Sequence, residues 1–195
     1  MNKNTFTTIS LSQGEVHVYD FGSVKLHAYQ TGDPLADEVF VVEKDGKAVV
    51  LEAPCFRDSI RALADYLRDT SLEVTGLLLA YHMAGATLLP GVKRYATRNA
   101  DEYGHSGGGK SLIDGFAAAF GDAFDSSIHT VTDYLEDGTV TIGGIQFVIR
   151  NKGCWLGHLG EQRIVFPPWK SQFAKRLCNL LRAVIMIAQK RTVMG

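Results

Sequence analysis

Residues 37–54 read DEVFVVEKDGKAVVLEAP and carry the clearest structural signal in the chain. Two runs rich in β-branched residues flank Asp45-Gly46. An Asp-Gly pair between such runs is the strongest short-range signal of a β-hairpin. The stretch therefore predicts two antiparallel strands that are joined by a tight turn.

Helical and strand patterns follow this hairpin directly. In residues 56–69 the apolar side chains Ile60, Leu63, Ala64 and Leu67 recur at helical spacing and predict one buried stripe. Residues 71–82 then read as a polar turn and a fully apolar strand, which is typical of a strand covered on both faces.

The remaining elements are predicted on the same grounds. They are a hairpin at 15–29 turning at Phe21-Gly22-Ser23, a short strand at 93–97, a mostly helical stretch at 98–128, a hairpin at 134–150 turning at Asp137-Gly138, and an amphipathic helix at 169–191. This order predicts a layered α/β domain in which helices enclose the sheets.

The composition is that of one globular domain over residues 1–195. The chain is 46% apolar and 21% charged, and it has no apolar run long enough to cross a membrane. Its first twenty residues do not resemble a secretory signal. Three cysteines without Cys-x-x-Cys spacing argue against a disulfide framework. We expect a cytoplasmic protein that binds neither nucleic acid nor membrane.

The charge is distributed unevenly. Residues 1–150 contain 20 acidic and 12 basic side chains, whereas residues 151–195 contain one acidic and eight basic ones. Three interpretations stay open: a solvated basic helix face, a segment for an acidic partner or membrane, and a change of reading frame near residue 150. The basic segment is therefore either part of the folded core or an altered C-terminus.

Residues 104–111, GHSGGGKS, match the phosphate-loop pattern. Gly104, Gly109, Lys110 and Ser111 are its candidate phosphate-binding residues. A phosphate loop follows a buried strand, but the residues just before this stretch are polar and acidic. The favoured interpretation is a glycine-rich connection between helices, and nucleotide or phosphate binding is the third-ranked functional hypothesis.

From about residue 36 to residue 154 the chain resembles the metallo-β-lactamase superfamily. The resemblance rests on DEVFVVEKDGKAVVLEAP (37–54), GLLLAYHMAGATLLPGVKRYAT (76–97) and DGTVTIGGIQFVIRNKGC (137–154), in this order. It implies a four-layer αββα sandwich, and residues 155–195 fall outside it. An incomplete C-terminal edge of the sandwich stays open.

The resemblance also implies where metal ligands would lie. The positions of the two leading histidines are Ala80 and His82, those of the next aspartate and histidine are Ala84 and Gly85, and a later histidine position falls near Cys154. Alanine and glycine offer no side-chain donor, and a catalytic zinc needs three protein ligands. We therefore expect no cofactor, with zinc as the alternative.

Two functional hypotheses follow. The first is a pseudo-hydrolase that binds a small ligand or a protein partner, with a pocket lined by Tyr81, His82, Met83, Ala84 and Gly85. The second is a metal-dependent hydrolase whose site is rebuilt from His82, Cys154 and either His105 or His158; His82 and Cys154 would then be its catalytic candidates. A cleft without metal ligands could also support a homodimer.

Overall fold

The computed structural model describes residues 6–80, 83–150, 154–159 and 162–166, and of residues 107, 150, 154–159 and 162–166 it describes the backbone alone. The helix predicted at 169–191 lies outside these residues. None of the described helices is long and apolar enough to span a membrane.

A mixed eight-stranded sheet dominates the described part of the chain. Its strands follow chain order: β1 (Phe6–Ser10), β2 (Glu15–Asp20), β3 (Lys25–Gln30), β4 (Glu38–Lys44), β5 (Lys47–Leu51), β6 (Glu73–Leu79), β7 (Arg94–Ala96) and β8 (Asp133–Tyr134). Strands β1 to β5 pair antiparallel, and β5 to β8 pair parallel. The carboxyl ends of β5, β6 and β7 therefore meet at one edge of the sheet.

Helix α1 (Arg57–Asp69) covers one face of this sheet. The predicted stripe is confirmed, because Ile60, Leu63 and Leu67 are buried against the valines of β4 and β5. Burying each such side chain contributes roughly 1.5–3 kcal/mol.

A buried polar cluster joins α1 to the sheet. His27 of β3 is 3% exposed. Its Nδ1 lies 2.6 Å from the Tyr66 hydroxyl of α1, and its Nε2 lies 2.9 Å from Oε2 of Glu43. Both ring nitrogens therefore have partners, as burial of a polar side chain requires.

A second, four-stranded sheet covers the opposite face. It comprises β9 (Gly138–Ile142), β10 (Ile145–Arg150), β11 (Cys154–Leu159) and β12 (Gln162–Phe166), in the order β12-β11-β10-β9. Ile142, Ile145, Phe147 and Ile149 pack against apolar side chains of the first sheet. Helix, sheet and sheet thus form three successive layers of the predicted αββα order.

One predicted turn is wrong. The hairpin at 134–150 turns at Gly143-Gly144 instead of Asp137-Gly138, because both glycines adopt the positive φ angles (59° and 79°) of a tight hairpin turn. The stretch at 98–128 is mostly helical, as predicted. It consists of α2 (Arg98–His105), α3 (Gly107–Phe120) and a short 3-10 turn (Gly121–Ala123), where Gly121 with φ 54° stops the helix.

Candidate functional site

The candidate site lies at the sheet edge where β5, β6 and β7 end. Glu52 follows β5, and Ala80 follows β6. Tyr81 and His82, the first two residues of the predicted pocket, lie outside the described residues. The geometry of the site therefore rests on the residues that surround them.

Glu52 fixes the start of the loop after β6. Its Oε1 accepts a hydrogen bond from the backbone N–H of Ala80 at 2.7 Å, and its own N–H donates to the carbonyl of Leu78 at 2.8 Å. Glu52 has a φ angle of 66°, a left-handed conformation that costs a side chain of this type on the order of 1–3 kcal/mol. The strained turn and the hydrogen bonds together join the ends of β5 and β6.

Gly85 lies in a space that admits no side chain. Its φ angle is 85°, and a Cβ atom on this residue would lie closer than 3.0 Å to the carbonyl oxygen of Pro54. The preceding residue, Ala84, is 2% exposed and pairs with Ile128 in an isolated bridge. Imidazole cannot replace hydrogen at residue 85 unless the backbone moves.

Asp125 is the hydrogen-bonding centre of this edge. Its Oδ2 accepts from the N–H and hydroxyl of Thr87 at 3.2 and 2.6 Å, and its Oδ1 accepts from the N–H and hydroxyl of Ser127 at 3.2 and 2.7 Å. Its backbone N–H donates to the carbonyl of Cys55, and its carbonyl accepts from Gly85. Asp125 therefore holds together the loops after β5 and β6 and the segment after α3.

The ionisation of Asp125 follows from these contacts. Burial opposes the charged form, but the hydrogen bonds from Thr87 and Ser127 outweigh it and lower the pKa of Asp125 below its ordinary value. Arg57 adds a nearby positive charge, with a guanidinium nitrogen 3.7 Å from Oδ1. The carboxylate is therefore charged and engaged by protein donors.

His129 lies behind the loop and was not predicted as a site residue. It is fully buried, and its backbone N–H donates to the carbonyl of Met83 at 2.8 Å. Nε of Arg94 donates to its Nδ1 at 3.0 Å, which places the ring proton on Nε2. In this tautomer neither nitrogen has a lone pair left for a metal ion, so His129 does not replace a missing ligand.

Met83, predicted to line the pocket, is fully buried. A Cβ atom on Gly104 would overlap the Met83 side chain, so α2 packs directly on the loop after β6. Met83, Ala84 and Gly85 thus lie at the expected edge, but their contacts in the described chain are with protein atoms. Their contact with a ligand stays a prediction.

The 104–111 stretch joins two helices. Gly104 and His105 end α2, Ser106 is the junction, and Lys110 lies in the first turn of α3, paired with Asp114. A phosphate loop requires a strand directly before its glycines, but here helix α2 precedes them. Phosphate binding by Gly104, Gly109, Lys110 and Ser111 gains no support from this arrangement and stays a prediction.

The other candidate ligands belong to a helix and a strand of the described chain, and their convergence on His82 stays a prediction. His105 is partly exposed on α2, with Nδ1 3.0 Å from a carboxylate oxygen of Asp101. Cys154 and His158 lie on the same strand, β11. Strand geometry places their Cα atoms about 13 Å apart.

No protein-family model matches this sequence, and no curated protein matches it. The structure is more informative. MIM-1, a metallo-β-lactamase from Novosphingobium pentaromativorans, is similar with a TM-score of 0.54 and 14% identity, over 90% of this chain and 72% of its own. The chain has the metallo-β-lactamase fold. The fold implied by the sequence resemblance is therefore confirmed.

Two further structures of this fold are similar to the chain. BLEG-1, a B3 metallo-β-lactamase, has a TM-score of 0.49 and 15% identity over 68% of this chain and 66% of its own. A metallo-β-lactamase family protein from Thermus thermophilus has a TM-score of 0.49 and 16% identity over 70% of this chain and 56% of its own. The chain thus spans less than two thirds of the length of either protein.

The described residues do not fit the metal centre that the metallo-β-lactamase fold usually holds. Within the described ranges, no three His, Cys, Asp or Glu side chains are placed so that they could hold a metal ion. Ala80, Ala84 and Gly85 have no donor atoms in their side chains, and Gly85 has no room for one.

Proposed function

We propose that this chain is a metallo-β-lactamase-fold protein that has lost metal-dependent hydrolysis and acts by binding a small ligand or a protein partner at the edge where β5, β6 and β7 end. The observation that carries the proposal is the contact between Gly85 and Pro54. A residue that is sterically restricted to glycine cannot supply the imidazole that dinuclear hydrolysis needs at this position.

The hydrogen bonds of Asp125 support the same proposal. Metal ions in proteins commonly cross-link loops, and the loss of an ion then loosens them. In this chain the buried carboxylate of Asp125 accepts hydrogen bonds from Thr87 and Ser127, and its backbone N–H donates to the carbonyl of Cys55. Protein hydrogen bonds thus join these loops, and a preformed surface binds partners at a lower entropic cost.

Reaction assays with zinc-treated protein test the loss of hydrolysis. Tag-free wild type is incubated with zinc and assayed on esters, thioesters, phosphodiesters and a β-lactam. We expect no turnover above that of His82→Ala. A matched control is His17→Ala, which removes a half-buried imidazole from β2. Turnover that disappears in His82→Ala and persists in His17→Ala would contradict the proposal and support a rebuilt hydrolase.

The same compounds test the binding part when they are used as ligands in thermal-shift measurements. We expect at least one class to raise the Tm of the wild type without being consumed. The shift should be reduced in Gly85→Ala, which disturbs the loop after β6. If no class shifts the Tm, the small-ligand part of the proposal is wrong.

A further inference from the structure

Strand β1 forms one edge of the large sheet, and its sequence is FTTIS. All five residues are exposed, and within the described elements the strand pairs with β2 alone. An edge strand presents a row of backbone donors and acceptors that can pair with another strand. Native proteins usually protect such edges with lysine, proline or a bulge, and β1 has none of these.

The hairpin geometry shows which backbone groups of β1 point outward. The N–H of Leu11 donates to the carbonyl of Gly14 at 3.0 Å, so these two residues form a hydrogen-bonded pair at the turn. Hydrogen-bonded and non-hydrogen-bonded pairs alternate along an antiparallel ladder. In this register the backbone groups of Ile9 and Thr7 form hydrogen bonds with β2. The N–H and C=O groups of Phe6, Thr8 and Ser10 consequently point away from the sheet.

Strand β1 has apolar side chains on both faces. The Phe6 ring lies 4.7 Å from the His17 ring and 5.2 Å from the Tyr19 ring. On the opposite face is Ile9, and both Phe6 and Ile9 are 37% exposed. A strand that pairs with β1 would therefore cover apolar side chains on both faces of β1.

The opposite edge of the sheet is a poor partner for β1. Strand β8 has only two residues, and one of them, Asp133, carries a charge. Pairing of β1 with β8 would join copies head to tail into an open chain. Pairing of β1 with β1 instead closes a two-fold dimer and brings no charged residues of the strand together.

We propose that two copies of this chain associate by antiparallel pairing of their β1 strands, with Thr8 of one copy opposite Thr8 of the second copy. Each Thr8 then exchanges both backbone hydrogen bonds with its equivalent, and Phe6 lies opposite Ser10. The two large sheets become one continuous sheet. The interface is small, so we expect a dimer in the micromolar range of Kd. This inference goes beyond the proposed function and does not depend on it.

Charge substitutions at the two-fold axis test the proposal. Sedimentation velocity of the full chain should show a monomer–dimer equilibrium. Thr8→Lys and Thr8→Glu should each raise Kd by up to about fivefold, because like charges directly opposite on paired strands repel. An equimolar mixture of the two variants should restore dimerisation. Thr8 is exposed, so both variants should keep the wild-type Tm at concentrations where the wild type is monomeric.

Three outcomes of sedimentation would overturn the proposal. The first is a wild type that stays monomeric at its highest soluble concentration. The second is a dimer that both charge variants leave unchanged. The third is a mixture of the two variants that dimerises no better than either alone.

Amide hydrogen exchange provides an independent readout. In concentrated wild type the amides of Thr8 and Ser10 should be protected, and dilution or Thr8→Lys should remove this protection. The amides of Thr7 and Ile9 should stay protected throughout, because they donate to β2. Protection of Thr8 and Ser10 in a species that sediments as a monomer would show that another part of the same chain covers β1, and would overturn the proposal.

Discussion

The carbonyl oxygen of Pro54 occupies the space that a Cβ atom on Gly85 would need. The two residues belong to loops that follow β5 and β6, and these loops meet because the two strands are parallel neighbours. The resemblance to metallo-β-lactamases places a metal-binding histidine at residue 85. Glycine has no side-chain atom that could bind a metal ion. The contact with Pro54 also leaves no room for a metal-binding side chain at residue 85.

Gly85→Ala should destabilise the protein much more than Gly91→Ala. Both glycines have nearly the same φ angle, 85° and 86°, but nothing lies within 4 Å of a Cβ atom on Gly91. Gly91→Ala should lower the free energy of unfolding by about 1–2 kcal/mol because of backbone strain. Gly85→Ala should lower it by about 1–3 kcal/mol more because of the contact with Pro54. Urea unfolding of both variants measures the difference. Equal losses would show that residue 85 is not sterically closed.

Asp125→Asn should lower stability and flatten its dependence on acid pH. The pKa of Asp125 is lowered in the folded protein, so its contribution is fully present above the ordinary pKa of about 3.9 and is lost as pH falls through the folded pKa. Exchange of the carboxylate for an amide should cost about 2 kcal/mol near neutral pH, because hydrogen bonds to a charged group are lost.

The control for this substitution is Asp122→Asn, since Asp122 is exposed. Its effect should stay within about 0.5 kcal/mol. Thermal unfolding between neutral pH and pH 3 measures both variants. If the stability of Asp125→Asn falls with pH as steeply as that of the wild type, the acid sensitivity arises from other groups.

His27 should make the protein sensitive to mildly acidic pH. Burial lowers the pKa of His27 and outweighs the opposing hydrogen bond and charge of Glu43. The neutral ring contributes stability that is fully present above about pH 6.5 and is lost as pH falls through the folded pKa, because the unfolded chain takes up the proton first. His27→Gln should therefore reduce the slope of the unfolding free energy with pH below 6.5. An unchanged slope would contradict this assignment.

Tyr66→Phe should destabilise α1 by about 1–3 kcal/mol. The substitution keeps the ring but leaves Nδ1 of His27 buried without the hydroxyl that lies 2.6 Å away. A matched control is Tyr134→Phe, which removes the exposed hydrogen bond from the Tyr134 hydroxyl to Asp101. This change should lower the free energy of unfolding by less than about 0.5 kcal/mol. Chemical denaturation distinguishes the two. Similar small losses would show that the Tyr66–His27 contact adds little stability.

The central hairpin and α1 could be predicted because the residues that determine each of them are close together in sequence. Asp45-Gly46 marks a turn within its own strands, and the α1 stripe repeats within four turns. The turn of the hairpin at 134–150 is hard to predict because two glycine-containing signals, Asp137-Gly138 and Gly143-Gly144, compete in one short stretch. Strand β1 was missed because a strand exposed on both faces has no apolar alternation.

The site was less predictable because its determinants are distant in sequence. The missing ligands at Ala80, Ala84 and Gly85 could be recognised from the resemblance, but the closure of residue 85 depends on Pro54. The Asp-Ser-Ser run at 125–127 forms a side-chain turn, in which the N–H of Ser127 donates to Oδ1 of Asp125. The link from Asp125 to Thr87, however, exists only in the folded chain.

The most direct test of the central claim is the zinc content of purified, tag-free protein after incubation with excess zinc and removal of free metal. We predict zinc well below one equivalent, with no difference between wild type and His82→Ala. Near-stoichiometric zinc in the wild type that is lost in His82→Ala would contradict the account and would show that the chain retains a metal site around His82.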